Sequence, residues 1–105
     1  MRTAQEDLEG RILGCVDRGL LAIGESARRA IYWHMEQDKH MRRESFAKEP
    51  RKFIEALEGM FGPGAATLEK AIVREMKTEF GISGDAEGFE EAVEEASRKE
   101  GVAKG

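Results

Sequence analysis

An all-α fold, an irregular bundle of about five helices, is what this sequence predicts, and three observations predict it. Apolar residues recur at spacings of three and four rather than two, which is the helical period. Glycines, and one Gly62-Pro63-Gly64 turn, divide the chain into five such stretches. No alternating β-branched run and no internal repeat occurs anywhere.

The first stretch, about Thr3 to Arg18, carries Leu8, Ile12, Cys15 and Val16 on one face. Gly19 to Gly24 is expected to break it, with Leu20, Leu21 and Ile23 tucked into the connection. The second runs from Ser26, read as the N-cap, to about His40, with a stripe of Ala27, Ala30, Ile31, His34 and Met35. Met41 to Glu49 is the least regular stretch. Pro50 then fits the first turn of a third helix, where its missing N–H would be unpaired anyway. Phe53, Ile54, Leu57, Met60 and Phe61 give that helix a wide apolar face.

Gly62-Pro63-Gly64 stops the third helix and starts the fourth, because glycine accepts a left-handed C-terminal position and proline can begin a helix but not continue one. Helices three and four are expected to form an antiparallel hairpin there. Leu68, Ala71, Ile72, Met76 and Phe80 line the fourth, and Gly81-Ile82 reads as a Schellman ending with Ile82 folded back toward Met76. The fifth, about Ala86 to Lys99 with Asp85 as N-cap, offers only Phe89, Ala92, Val93 and Ala96, the weakest stripe of the five.

At 105 residues, 40% hydrophobic and 36% charged, the chain suits one water-soluble domain over residues 1–105, with residues 83–105 as an acidic C-terminal helix. No run approaches the roughly 18 apolar residues of a membrane span. The polar, acidic opening from Met1 to Asp7 lacks the basic-then-apolar pattern of a secretory signal, so the expected location is cytoplasmic. Cys15 has no partner cysteine for a disulfide, and its helical neighbours Leu8, Ile12 and Val16 make it a small core hydrophobe.

Catalytic and cofactor motifs fail on inspection. Gly59 and Gly64 have the spacing of a phosphate-binding loop, but Ala65 and Ala66 stand where lysine and a hydroxyl are needed. Gly62-Pro63-Gly64 follows a helix rather than a strand, and Thr67 replaces the last glycine of a dinucleotide fingerprint. His34 and His40 fall on different sides of a helix, with no further ligands for zinc. Ser26 lacks the second glycine of a nucleophile elbow. No metal and no cofactor is expected. His34, beside Ile31 and Met35, reads as a core-edge histidine or, less simply, as a base or pH switch. Glu69 falls between Ala65, Ile72, Met76 and Phe80, and either stays wet near the helix start or marks a site by pairing with a cation.

Two features go beyond an ordinary helical domain. From Arg28 to Lys52 there are eight Lys/Arg against four Asp/Glu, a local +4 that leaves −8 for the rest of a chain whose net charge is −4. Such a segment either faces the acidic fifth helix or attracts an anionic partner. Trp33, meanwhile, lies nearly opposite Ile31 and Met35, among Arg29, Gln37 and His40, with Tyr32 between the two faces. Helix two is then either central, covered on two sides, or part of an interface with another chain.

The stretch Gly24-Glu25-Ser26-Ala27-Arg28-Arg29-Ala30-Ile31-Tyr32-Trp33-His34-Met35-Glu36, then Pro50, Phe53, Glu55, Ala56 and Leu57, then Met60-Phe61-Gly62-Pro63-Gly64-Ala65 and Phe80-Gly81-Ile82, resembles a family of small archaeal domains, the Nitrosopumilus output domains. The resemblance covers about Leu20 to Ile82, and its most specific pieces are the Phe61–Ala65 turn and the Ile31–Glu36 helix. It implies a part in signal transduction with no assigned catalysis, and it supplies no active-site residue.

The function expected is therefore a non-enzymatic regulatory or protein-interaction domain. Its predicted contact residues are Arg29, Tyr32, Trp33, Gln37, Arg42 and Arg43, meeting a protein partner or a second copy through helix two, with Phe46 joining from the loop. The alternative is a nucleic-acid-binding module using Arg28, Arg29, Arg42, Arg43, Arg51 and Lys52. A third class, a small enzyme, would have to use His34 and Glu69.

Overall fold

Thr3 closes the first turn of α1 (Ala4–Leu20) with a reciprocal capping box: its hydroxyl accepts from the Glu6 N–H at 3.1 Å, and the Glu6 carboxylate accepts from the Thr3 N–H at 2.9 Å. Those hydrogen bonds hold the Glu6 carboxyl below its ordinary range. The computed structural model describes residues 2–102, so residues 103–105 of the predicted acidic C-terminal segment lie outside the described residues. After α1 come α2 (Glu25–Lys39), α3 (Pro50–Phe61), α4 (Ala65–Phe80) and α5 (Phe89–Lys99), with short 3₁₀ turns at Leu21–Ile23, Arg43–Ser45 and Gly62–Gly64. The described residues form an all-α bundle without strands.

The most extensive helix–helix contact joins α1 to α4, and α5 lies on α4 and α3. The α3–α4 contact across the Gly62–Gly64 turn is present but smaller, so α4 is organised chiefly by α1 and not by its neighbour in sequence. Arg11 reinforces this arrangement, its guanidinium reaching Glu79 of α4 at 2.9 Å and Glu100 at 2.7 Å while lying 4.4 Å from the Phe80 ring centroid. Arg18 reaches Glu75 at 2.9 Å and Glu79 at 3.3 Å.

A single cluster of buried side chains forms the core, and its densest part is aromatic. Phe46 stacks on Phe53 at 4.3 Å between centroids, with Tyr32 beyond Phe46 at 5.6 Å and Phe89 edge-on to Phe53 at 5.5 Å. These four rings tie α2, the loop, α3 and α5 together. Phe46, read from the sequence as a loop residue available to an interface, is fully buried and is a centre of the core.

Three boundaries differ from the sequence reading. Gly19 does not break α1: it is buried inside the helix, where a Cβ would lie 2.7 Å from Ile72 Cγ1 and 2.8 Å from Ile72 Cα. The glycine provides close approach to α4, and the chain turns instead at Gly24, whose φ of +97° suits only glycine well. Gly24, not Ser26, is the N-cap of α2. Leu20 is buried as expected, but Leu21 and Ile23 remain exposed and are not tucked into the connection.

α5 begins at Phe89 rather than near Ala86, and Asp85 does not cap it. The stretch before it carries Ala86 into the core, and the cap role passes to Glu69 of α4, whose carboxylate accepts from the Phe89 N–H at 2.9 Å. Gly81 does take the left-handed conformation that ends α4 (φ +60°), and Ile82 packs against the core. Cys15 is fully buried, and burial pushes its thiol up to about 11.

Candidate interaction surface

α2 is the least embedded helix, because Ile31 and Met35 are its only fully buried residues. The stripe read from the sequence is narrower in three dimensions: Ala27 is half-buried, while Ala30 and His34 are exposed. Everything on the other side of the helix faces outward, including Trp33 at 60% exposure. α2 is therefore not a central helix covered by two layers.

Between α2 and the end of α3 lies a hollow of about 430 Å³, walled mostly by apolar atoms of Ala27, Ala30, Ile31, Met60 and Phe61 together with His34. Phe61 stays 40% exposed at its edge. Asp38 and Lys39 stand at the α2 C-terminal end. Trp33 flanks the hollow without lining it, its indole meeting the His34 ring edge-on at 5.1 Å. Ile23, in the turn before α2, is also exposed.

The predicted contact residues divide into two groups. Arg29, Trp33, Gln37 and Arg42 are exposed on or beside α2. Arg29 is held only by an exposed pair with Glu25 at 2.9 Å, and Arg42 by one with Glu36 at 3.8 Å. Such pairs contribute little and are readily exchanged for a partner's groups. Tyr32 and Arg43 instead turn inward to Asp17 of α1. The Tyr32 hydroxyl donates to Asp17 Oδ1 at 2.6 Å, and Arg43 grips both carboxylate oxygens through Nε at 3.1 Å and Nη2 at 2.5 Å. Burial alone would raise the Asp17 carboxyl, but the bonds from Arg43 and Tyr32 outweigh it and hold the group below its ordinary range. Burial, then the Asp17 bond, raises the Tyr32 phenol. These two residues fasten α2 and the loop to α1 and are only partly exposed.

The basic stretch is a mosaic rather than a patch. Arg28, Arg29, Arg42, Arg43, Arg51 and Lys52 all lie within 4 Å of a carboxylate. Arg51 reaches the acidic fifth helix, at 3.3 Å from Glu90. His34 and Glu69 do not come together: His34 lines the α2–α3 hollow and lies 3.2 Å from Asp38, both exposed, while Glu69 sits in a different depression and caps α5. No group of three or more His, Cys, Asp or Glu suited to hold a metal occurs among the described residues.

Ala30, Met60 and Phe61 belong to this surface and were not among the residues predicted for it. Phe61 follows Phe53 and Leu57 at four-residue spacing, so its pattern is that of a core residue, yet it is exposed at the end of α3. No helix among the described residues is long and apolar enough to cross a membrane. No protein-family model, characterised protein or solved structure matches the chain.

Proposed function

We propose that this domain is a non-enzymatic, regulatory protein-interaction module that engages its partner through the outer face of α2 and the adjoining end of α3. The observation carrying this reading is the apolar hollow walled by Ala27, Ala30, Ile31, Met60 and Phe61, with the exposed Trp33 beside it on the same helix. Exposed tryptophan beside an apolar depression is the composition of an interaction hot spot, where burial of one large aromatic removes roughly 150–250 Å² from water. The resemblance of Leu20–Ile82 to signal-output domains with no assigned catalysis supports the same reading. The separation of His34 from Glu69 disfavours an enzyme built on those two residues.

Immobilised wild-type domain and its Ala30→Glu variant, each exposed to lysate, test the proposal. Ala30 is exposed, so the substitution leaves the fold intact while placing a charge in the hollow. Proteins retained by the wild type and lost from the variant are expected; identical sets from both overturn the reading. The net charge of −4 and the carboxylates interleaved with the basic stretch disfavour nucleic acid, and labelled DNA and RNA are expected not to bind at low salt. Tight binding that weakens steeply with added salt would replace this proposal with the nucleic-acid one.

A further inference from the structure

We propose that the occupant of the hollow is a second copy of this chain, with two α2 helices side by side and parallel about a two-fold axis, so that each Trp33 enters the other copy's hollow. This rests on the interaction reading above and specifies its partner. At about 100° per residue, Ser26, Ala30 and Gln37 form a line of exposed residues along α2 that would be the midline of the pairing face. Trp33 lies about 60° to one side of Ala30, and Ala27 and His34, which wall the hollow, lie about 40–60° to the other. The hollow draws on α2 from Ala27 to Lys39, so its middle stands at the height of Trp33 along the helix. The molecule thus carries a projecting ring and an apolar recess side by side on one surface.

Symmetry decides how two such surfaces fit. A two-fold axis running along the helices brings the Trp33 flank of one copy against the hollow flank of the other, twice, in the self-complementary manner of an isologous interface. An axis across the helices would set Trp33 against Trp33 and hollow against hollow, leaving both recesses empty. The parallel pair is the arrangement that fills them. Ala30 on the midline permits close approach of the two backbones, within the 8–10 Å usual for packed helices.

The polar edge is also complementary. Asp38 stands on the hollow flank near the C-terminal end of α2, where the second copy's Gln37, on the midline, brings an amide donor. Burying the two indoles against the two recesses removes roughly 600 Å² from water, and Phe61, Ile23 and the rim carry the total toward about 1,000 Å², the lower end for specific interfaces. The pair is accordingly a weak, reversible dimer.

Sedimentation equilibrium of the intact chain over a concentration series tests this. The apparent mass is expected to rise toward twice that of the monomer, with the single tryptophan's emission shifting to the blue as the indole leaves water. Trp33→Ala and Ala30→Glu, both at exposed positions, should stay monomeric at the same concentrations with an unchanged far-ultraviolet circular dichroism spectrum. Ser26→Cys and Gln37→Cys separately report orientation: each should form a disulfide with its own kind on mild oxidation. A wild type monomeric at every concentration, or a dimer that survives Trp33→Ala, overturns the proposal; so does cross-linking only between the two cysteine variants when mixed. If the wild type is monomeric but still retains proteins that Ala30→Glu loses, the self-pairing fails while the interaction reading stands. If Ala30→Glu alters neither mass nor retained proteins, both fail.

Discussion

Asp17 joins three parts of the chain through one carboxylate, since it accepts from Tyr32 of α2 and from Arg43 at the turn before α3. The Asp17 and Arg43 side chains keep 27% and 39% exposure, so solvent screens the charge and the group's contribution is that of a few charge-assisted hydrogen bonds rather than of a deeply buried pair. Asp17→Asn should cost about 1–2 kcal/mol at neutral pH, measured by urea denaturation. Because folding lowers the Asp17 pKa, the stability it confers is present above the unfolded carboxyl value of about 3.9 and is lost as pH falls through the lower folded value. The gap between wild type and Asp17→Asn should therefore be constant from mildly acidic to neutral pH and narrow below about pH 4. A gap unchanged at the acid end would show that the charge is not what matters.

Individual elements owe their positions to contacts far away in sequence. Gly19 lets α1 lie against the backbone of α4, because any Cβ there would sit within 3 Å of three Ile72 atoms, two of them main-chain. Gly19→Ala adds one methyl group and improves helix propensity, yet it should destabilise by about 1–3 kcal/mol because the two helices must separate. Gly10→Ala, in the same helix but exposed, with nothing nearer its Cβ than an Arg2 side-chain nitrogen at 3.8 Å, should stabilise by about 0.5–1 kcal/mol. Opposite signs for the same substitution at two places in one helix are read directly from thermal unfolding. Glu69 performs the remote counterpart of Thr3's local cap. Its replacement by alanine should lower stability by about 1 kcal/mol, with hydrogen exchange accelerated first at the amides that open α5.

At the scale of the molecule, the central stretch from Leu20 to Ile82 is not a folding unit by itself. Residues 20–82 leave out nearly all of α1, which supplies Leu8, Ile12, Cys15 and Val16 and the most extensive contact with α4, and all of α5, whose Phe89 packs edge-on against Phe53. A fragment of residues 20–82 should therefore show neither a cooperative thermal transition nor the native helical signal, whereas the intact chain shows both. A cooperatively folding fragment would mean that the α1 and α5 contacts are dispensable.

The sequence by itself determined the all-α class, the five apolar stripes, the Thr3-to-Arg18 and Pro50-to-Phe61 helices to within a few residues, the Gly81 stop and the core place of Cys15. Each of these depends on spacing within one helix or on the chemistry of one turn, which neighbouring residues carry between them. Tertiary structure alone decided that Gly19 serves approach rather than breakage, that Glu69 caps another helix, that Phe46 is buried while Phe61 is not, and that Tyr32 and Arg43 face inward to Asp17. Those outcomes depend on which helices meet and at what distance. A helical period fixes the angle of a side chain about its own axis, but whether that angle points into a core or into water depends on where the other helices stand.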